Sequence, residues 1–182
     1  MNSWALYSVF VATVLSVGVW SYFVWREHDA VHPVELSMLA VRNKANATYY
    51  RTFMWLCPPL FAITGWWYVA PRVHNGLLVA LWLISCGCCM LAGVFLPRAG
   101  KQEQLHDIFA YTMGIAMLAL AFVAAWAVPK YSLAMWFVAF TMAAVAIAGP
   151  RLRHHYIFYE LGFIYFSHLS MVLVTFAVSS NG

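Results

Sequence analysis

The stretch YIFYELGFIYFSHLSMVLVTFAV, residues 156–178, decides how the rest of the chain is read. It can cross a hydrocarbon core of about 30 Å at about 1.5 Å per residue, yet its fifth residue is Glu160. A carboxylate within a span is costly, so it faces a protein interior or a wet cavity and marks a functional candidate. Five more segments have the same apolar character: 4–25, 52–69, 77–96, 105–128 and 132–149. None shows the alternation of outer-membrane strands, so each is expected to be a helix. Glu160 is the only acidic residue well inside any of them. The expectation is an all-α polytopic membrane protein, with six transmembrane helices in one antiparallel bundle over residues 1–182. Residues 26–51 form its longest loop.

Composition agrees. Of 182 residues, 64% are hydrophobic and 9% charged, and mean hydropathy is +0.76. A soluble domain carries nearer a quarter charged residues. Arg26, Arg42, Lys44, Arg51, Arg98, Lys101, Arg151 and Arg153 fall in the loops after the first, third and fifth spans. Only Arg72 and Lys130 fall on the other side. By the positive-inside rule the first group is cytoplasmic and both termini are extracytoplasmic, in a plasma or inner membrane. That asymmetry also accounts for the net charge of +4, so no nucleic-acid partner is inferred from it. The first span lacks the basic n-region and small-residue cleavage site of a removable signal. The sequon at Asn46 lies in the expected cytoplasmic loop and should carry no glycan. Cys57, Cys86, Cys88 and Cys89 all lie within spans, unlike a secreted disulfide framework.

In the first loop, His32-Pro33 can start a helix, with Val34, Leu36, Leu39, Ala40 and Val41 forming a lipid-facing side. Such a helix either bridges two spans along the interface or acts as a flap over a site at the cytoplasmic end. Pro58-Pro59 should free the carbonyls of Met54 and Trp55. Cys86, Cys88 and Cys89 do not share one helical face and are read as packing.

On a helix, Tyr156, Glu160, Ser167 and Met171 lie within about 40° of one another, with His168 about 80° away. His106 and Asp107 open the fourth span on the same membrane face as Glu160, which favours contact. The candidate ligand-binding residues are therefore Glu160, His106, Asp107, Tyr156, Ser167 and His168. A structural alternative pairs Glu160 with Arg51, Arg98 or Arg153. His28 and His32 have the i, i+4 spacing with which two imidazoles ligate one metal. His154, His155, Asp29 and Glu35 gather on that face too. No two histidines lie at matched depth for a bis-histidine haem, and no cofactor is specified.

Gly93-Val-Phe95-Leu-Pro97, a short polar loop and Leu105-His106-Asp107-Ile-Phe-Ala110 resemble a pattern of the six-span DRAM/Sfk-type integral membrane proteins and their uncharacterised bacterial relatives. The longer first loop and the aromatic second span are similar as well, and His106 is the motif position that matches in kind. In the eukaryotic members the first loop lies away from the cytosol, whereas the charges here put it inside. The resemblance implies an accessory or regulatory protein acting around lipids.

The expected partners are the bilayer, a lipid or hydrophobic small molecule, and a membrane-protein partner or second copy. The leading expectation is a pocket near the cytoplasmic side that holds an amphipathic molecule between helices. The alternatives are a membrane enzyme with a His/Asp/Glu or metal site acting on a lipophilic substrate, and a proton-coupled transporter or channel.

Overall fold

A computed structural model describes residues 3–27, 36–98, 100–151 and 156–179, and these contain no strand. Eight α-helices follow in order: α1 (Ser3–Arg26), α2 (Leu36–Val41), α3 (Lys44–Thr64), α4 (Ala70–Val73), α5 (Gly76–Val94), α6 (Lys101–Ala127), α7 (Ser132–Ala148) and α8 (Tyr156–Ser179). A π-helical turn, Gly65–Val69, joins α3 to α4, so the helical run continues from Lys44 to Val73. A 3-10 turn, Gly149–Arg151, ends α7.

Five of these runs are long and apolar enough to cross a membrane: Trp4–Arg26, Lys44–Val73, Gly76–Val94, Lys101–Ala127 and Ile157–Ser179. The sixth apolar helix, α7, has 17 residues, about 25 Å at 1.5 Å per residue. The six long helices close a ring in chain order, α1–α3–α5–α6–α7–α8, with α8 returning to α1 and also touching α6. The short connections from α3 to α5, α5 to α6 and α6 to α7 make those successive helices antiparallel neighbours. Tyr165 Oη and Ser21 Oγ, 2.6 Å apart, tie α8 to α1 across the closure.

The second long helix begins earlier than the apolar run suggests, at Lys44 rather than 52. Asn43 sets this boundary. Its backbone is extended and its side chain accepts the Asn46 N–H at 2.8 Å, which satisfies one donor of the first turn. Asn75 does the same for α5, accepting the Leu78 N–H at 3.0 Å. The helix runs unbroken through Pro58 and Pro59.

Two close approaches fix how α3 sits on α5. A Cβ at Gly93 would meet Met54 Cβ at 2.5 Å, and one at Gly65 would meet the Trp82 ring at 2.6 Å. Trp82 is fully buried there, and its Nε1–H donates to the Phe61 carbonyl at 2.8 Å. A wide indole with one polar atom needs such a partner when buried.

The short helix in the first loop is not lipid-facing. Leu36, Leu39 and Ala40 are at most 2% exposed, and they pack with Trp20, Phe23, Tyr50, Phe53 and Leu161. The side expected to meet lipid is turned into the protein, because α2 lies against α3 and α8 supplies its first hydrogen-bond acceptor. Asn46 secures the far end. Its Nδ2 donates to the Leu39 carbonyl at 3.1 Å, and its Oδ1 accepts from Arg26. A single buried amide thus joins the ends of α1, α2 and α3. Glu27 adds ion pairs to Arg26 at 3.1 Å and Arg42 at 3.6 Å. Burial alone would raise the Glu27 pKa. Hydrogen bonds with Asn46 and Arg26, and the charges of Arg26 and Arg42, outweigh it and hold the carboxyl below its ordinary range.

Candidate functional site

Glu160 lies one turn into α8, at the end of the bundle where α2 sits. Its Oε2 accepts the Leu36 N–H at 2.8 Å. That N–H is the first of α2 and has no acceptor within its own helix. The carboxylate therefore serves as an N-terminal cap supplied from a distant helix, where the positive end of the peptide dipoles favours it. Arg51 and Arg98, two of the basic partners the sequence offers, are exposed, and Arg153 lies outside the described residues.

His106 is 2% exposed and stands one turn into α6. Its Nδ1 lies 2.7 Å from the Phe95 carbonyl and 3.0 Å from that of Ala92. Both partners accept only, so Nδ1 carries the hydrogen. This bifurcated bond closes the C-terminal end of α5, where carbonyls lack helical donors. It also sets the chemistry of the other nitrogen. In the neutral ring Nε2 is an acceptor and a base; in the protonated ring it is a second donor.

Glu160, His106 and the half-buried Asp107 all line one cavity of about 320 Å³. Leu36 and Ser37 of α2 lie along the same wall, so the helix capped by Glu160 also borders the space. The apolar wall includes Trp20, Met54, Met113, Met117 and Phe163. Tyr50, 3% exposed, also lines it. The described lining residues include two carboxylates, one imidazole and no Lys or Arg. Such a wall favours a cationic or hydrogen-bond-donating group over an anion.

Ser167 and His168 do not join that cavity. They line a smaller void of about 40 Å³, together with Cys57, Cys86 and Cys89. Ser167 Oγ donates to the Ile164 carbonyl at 2.7 Å, and His168 Nδ1 lies 2.5 Å from the same oxygen. The His168 ring also packs edge-on against Phe61, with centroids 4.9 Å apart. Cys86 and Cys89 both reach this void and Cys88 does not. All four cysteines are free.

The proposed metal pair, His28 and His32, lies outside the described residues, as do Asp29, Glu35, His154 and His155; so does the Tyr156 side chain. Among the described residues no three His, Cys, Asp or Glu side chains converge as a metal site. Tyr50 was not anticipated from the sequence, because residues 44–51 read as loop. The signal was Asn43 ahead of a run that, once helical, brings Tyr50 onto the face of Met54 and Cys57.

The fold and composition together define a helical integral membrane protein with a mixed polar and apolar cavity at one end of the bundle. Comparison of the chain with protein families, curated proteins and solved structures found no match.

Proposed function

We propose that this is a six-span membrane protein that holds a lipid or other amphipathic small molecule near its cytoplasmic face, in an accessory or regulatory role. The positive-inside asymmetry supports that orientation, with α2 and the cavity on the cytoplasmic side. The seventeen-residue α7 then crosses with its 3-10 turn reaching the basic side. The convergence of Glu160, His106 and Asp107 on one otherwise apolar and aromatic cavity carries the reading. At about 320 Å³ the cavity falls at the small end of ligand pockets. The head group sits against Glu160, Asp107 and His106 Nε2, and the apolar part lies along α6 and α8. Among the described lining residues, two carboxylates and no Lys or Arg favour an amine or hydroxyl head over a phosphate.

The test uses three probes with one tail: a long-chain amine, the alcohol and the phosphate. Each is added to the purified protein in nanodiscs while thermal unfolding is followed. The amine should raise Tm most, the alcohol less and the phosphate not at all, and Asp107→Asn should reduce the amine effect. Equal shifts from amine and phosphate, or no shift from any probe, overturn the reading. The fixed Nδ1–H of His106 also suits a membrane enzyme, with Glu160 or Asp107 as base and His106 as proton partner. Conversion of a bound amphiphile, in place of its retention, would favour that alternative.

A further inference from the structure

The smaller void beneath the cavity has a wall rich in sulfur. Three thiols, Cys57, Cys86 and Cys89, and four thioethers, Met54, Met113, Met117 and Met171, line its 40 Å³ together with His168. Among the described residues, no carboxylate, Lys or Arg belongs to that lining. The space admits an ion but no lipid head group, since about 10–15 Å³ already accommodates a water. Cys89 Sγ lies 3.2 Å from Met54 Sδ, so soft donors from α5 and α3 already touch. The approach of those helices is fixed by Gly93, which lets Met54 sit where a Cβ would collide.

We propose that Cys89 and Met54 bind a Cu(I) ion in this void. Thiolate and thioether are soft ligands, which suit Cu(I) and Zn rather than harder ions. Charge decides between the two. One thiolate and Cu(I) form a neutral pair, whereas a divalent ion on the same two atoms leaves a net positive charge in an apolar interior, which is costly. Zinc would need four donors, and no three His, Cys, Asp or Glu side chains converge among the described residues. Two sulfurs suffice for Cu(I). Met54 has the torsional freedom to move off Cys89 as the ion inserts. The Cys89 S–H bond breaks, an S–Cu bond forms, and the proton leaves for solvent; copper stays Cu(I). Trp20, Met54, Met113, Met117 and Ile164 belong to both walls, so the two spaces adjoin and the upper cavity is the route for ion and proton. Met54 lines both spaces, but Cys89 lines only the smaller one and neither belongs to the Glu160, Asp107 and His106 group, so Cys89→Ala tests the copper site apart from the amphiphile cavity.

The experiment titrates Cu(I) alone into the reduced, purified protein without oxygen, against a chromogenic Cu(I) chelator. The wild-type chain should withhold one equivalent, with a sulfur-only first shell by X-ray absorption. Affinity should rise about tenfold per pH unit, because one thiol proton is released. Cys89→Ala should abolish retention, Met54→Leu should weaken it at least about tenfold with volume kept, and Cys88→Ser, outside the void, should keep it. No withheld copper, a nitrogen or oxygen shell, or retention unchanged in both ligand variants overturns the proposal. The stoichiometry, shell and pH dependence are read on the wild-type chain, so a variant that misfolds does not remove the test.

Discussion

Removal of the Glu160 carboxylate should release α2 from the rest of the bundle. The bond from Leu36 N–H to Oε2 is 2.8 Å and spans 124 residues of sequence. A hydrogen bond to a charged group contributes about 1.5–3 kcal/mol, and a neutral one about 0.5–1.5. Glu160→Ala should therefore cost α2 about 2 kcal/mol, and Glu160→Gln, which keeps an acceptor oxygen, about 1 kcal/mol. Because about 1.4 kcal/mol is a factor of ten, these losses correspond to roughly 30-fold and 5-fold more frequent opening. Local opening of this kind is read by amide hydrogen exchange. In nanodiscs, the peptide covering residues 36–41 should exchange faster in the order wild type, Gln, Ala. A peptide within α5, such as residues 80–90, should be unchanged. If residues 36–41 exchange alike in all three proteins, Glu160 does not hold α2 and the capping argument fails.

Gly65→Ala should lower stability by about 1–3 kcal/mol in thermal unfolding, because the new methyl would meet the rigid Trp82 ring. Wild-type stability in this variant would show that the ring can yield. Asn46→Ala should cost about 1–3 kcal/mol, since it leaves the Leu39 carbonyl and Arg26 without their buried partner; limited proteolysis should then cut first between α1 and α3. Glu27 gives a pH dependence of known sign. Its folded pKa is below the ordinary 4.5, so its stabilisation is present above that value and is lost as pH falls through the folded one. Glu27→Gln should therefore be less stable than wild type near neutrality and converge with it in acid; a constant gap at every pH would contradict the ion-pair assignment.

The apolar runs gave away the helices, because in lipid each span must satisfy its own backbone and so declares itself by length and hydropathy. The start of α3 was harder to read. Lys44 to Tyr50 is polar enough to pass for loop, and only the Asn43 cap marks it as helix. The apolar face of α2 looks lipid-facing in the sequence, since periodicity reports which residues share a face but not what covers it. Glu160, His106 and Asp107 could be placed on one membrane face from topology alone. That Glu160 would bond the first N–H of α2 could not, because nothing local to either segment encodes so distant a contact. The sulfur-lined void was also hidden. Cys57 and Cys86 belong to different helices, and their meeting depends on the register that Gly93 and Gly65 set between α3 and α5.

The wide turn at Gly65–Val69 works as a phase shifter for everything that follows it in the long helix. A π turn carries one residue more than an α turn, so the residues beyond it are rotated by about 100° from where an uninterrupted helix would place them. At the end of the turn Tyr68 and Val69 are buried, and just beyond it Arg72 lies over the Tyr68 ring at 4.2 Å while bonding the Tyr68 carbonyl. Deletion of a single residue from the turn would restore ordinary α geometry and satisfy every local preference. It would also swing those side chains out of place, with the backbone more regular than before.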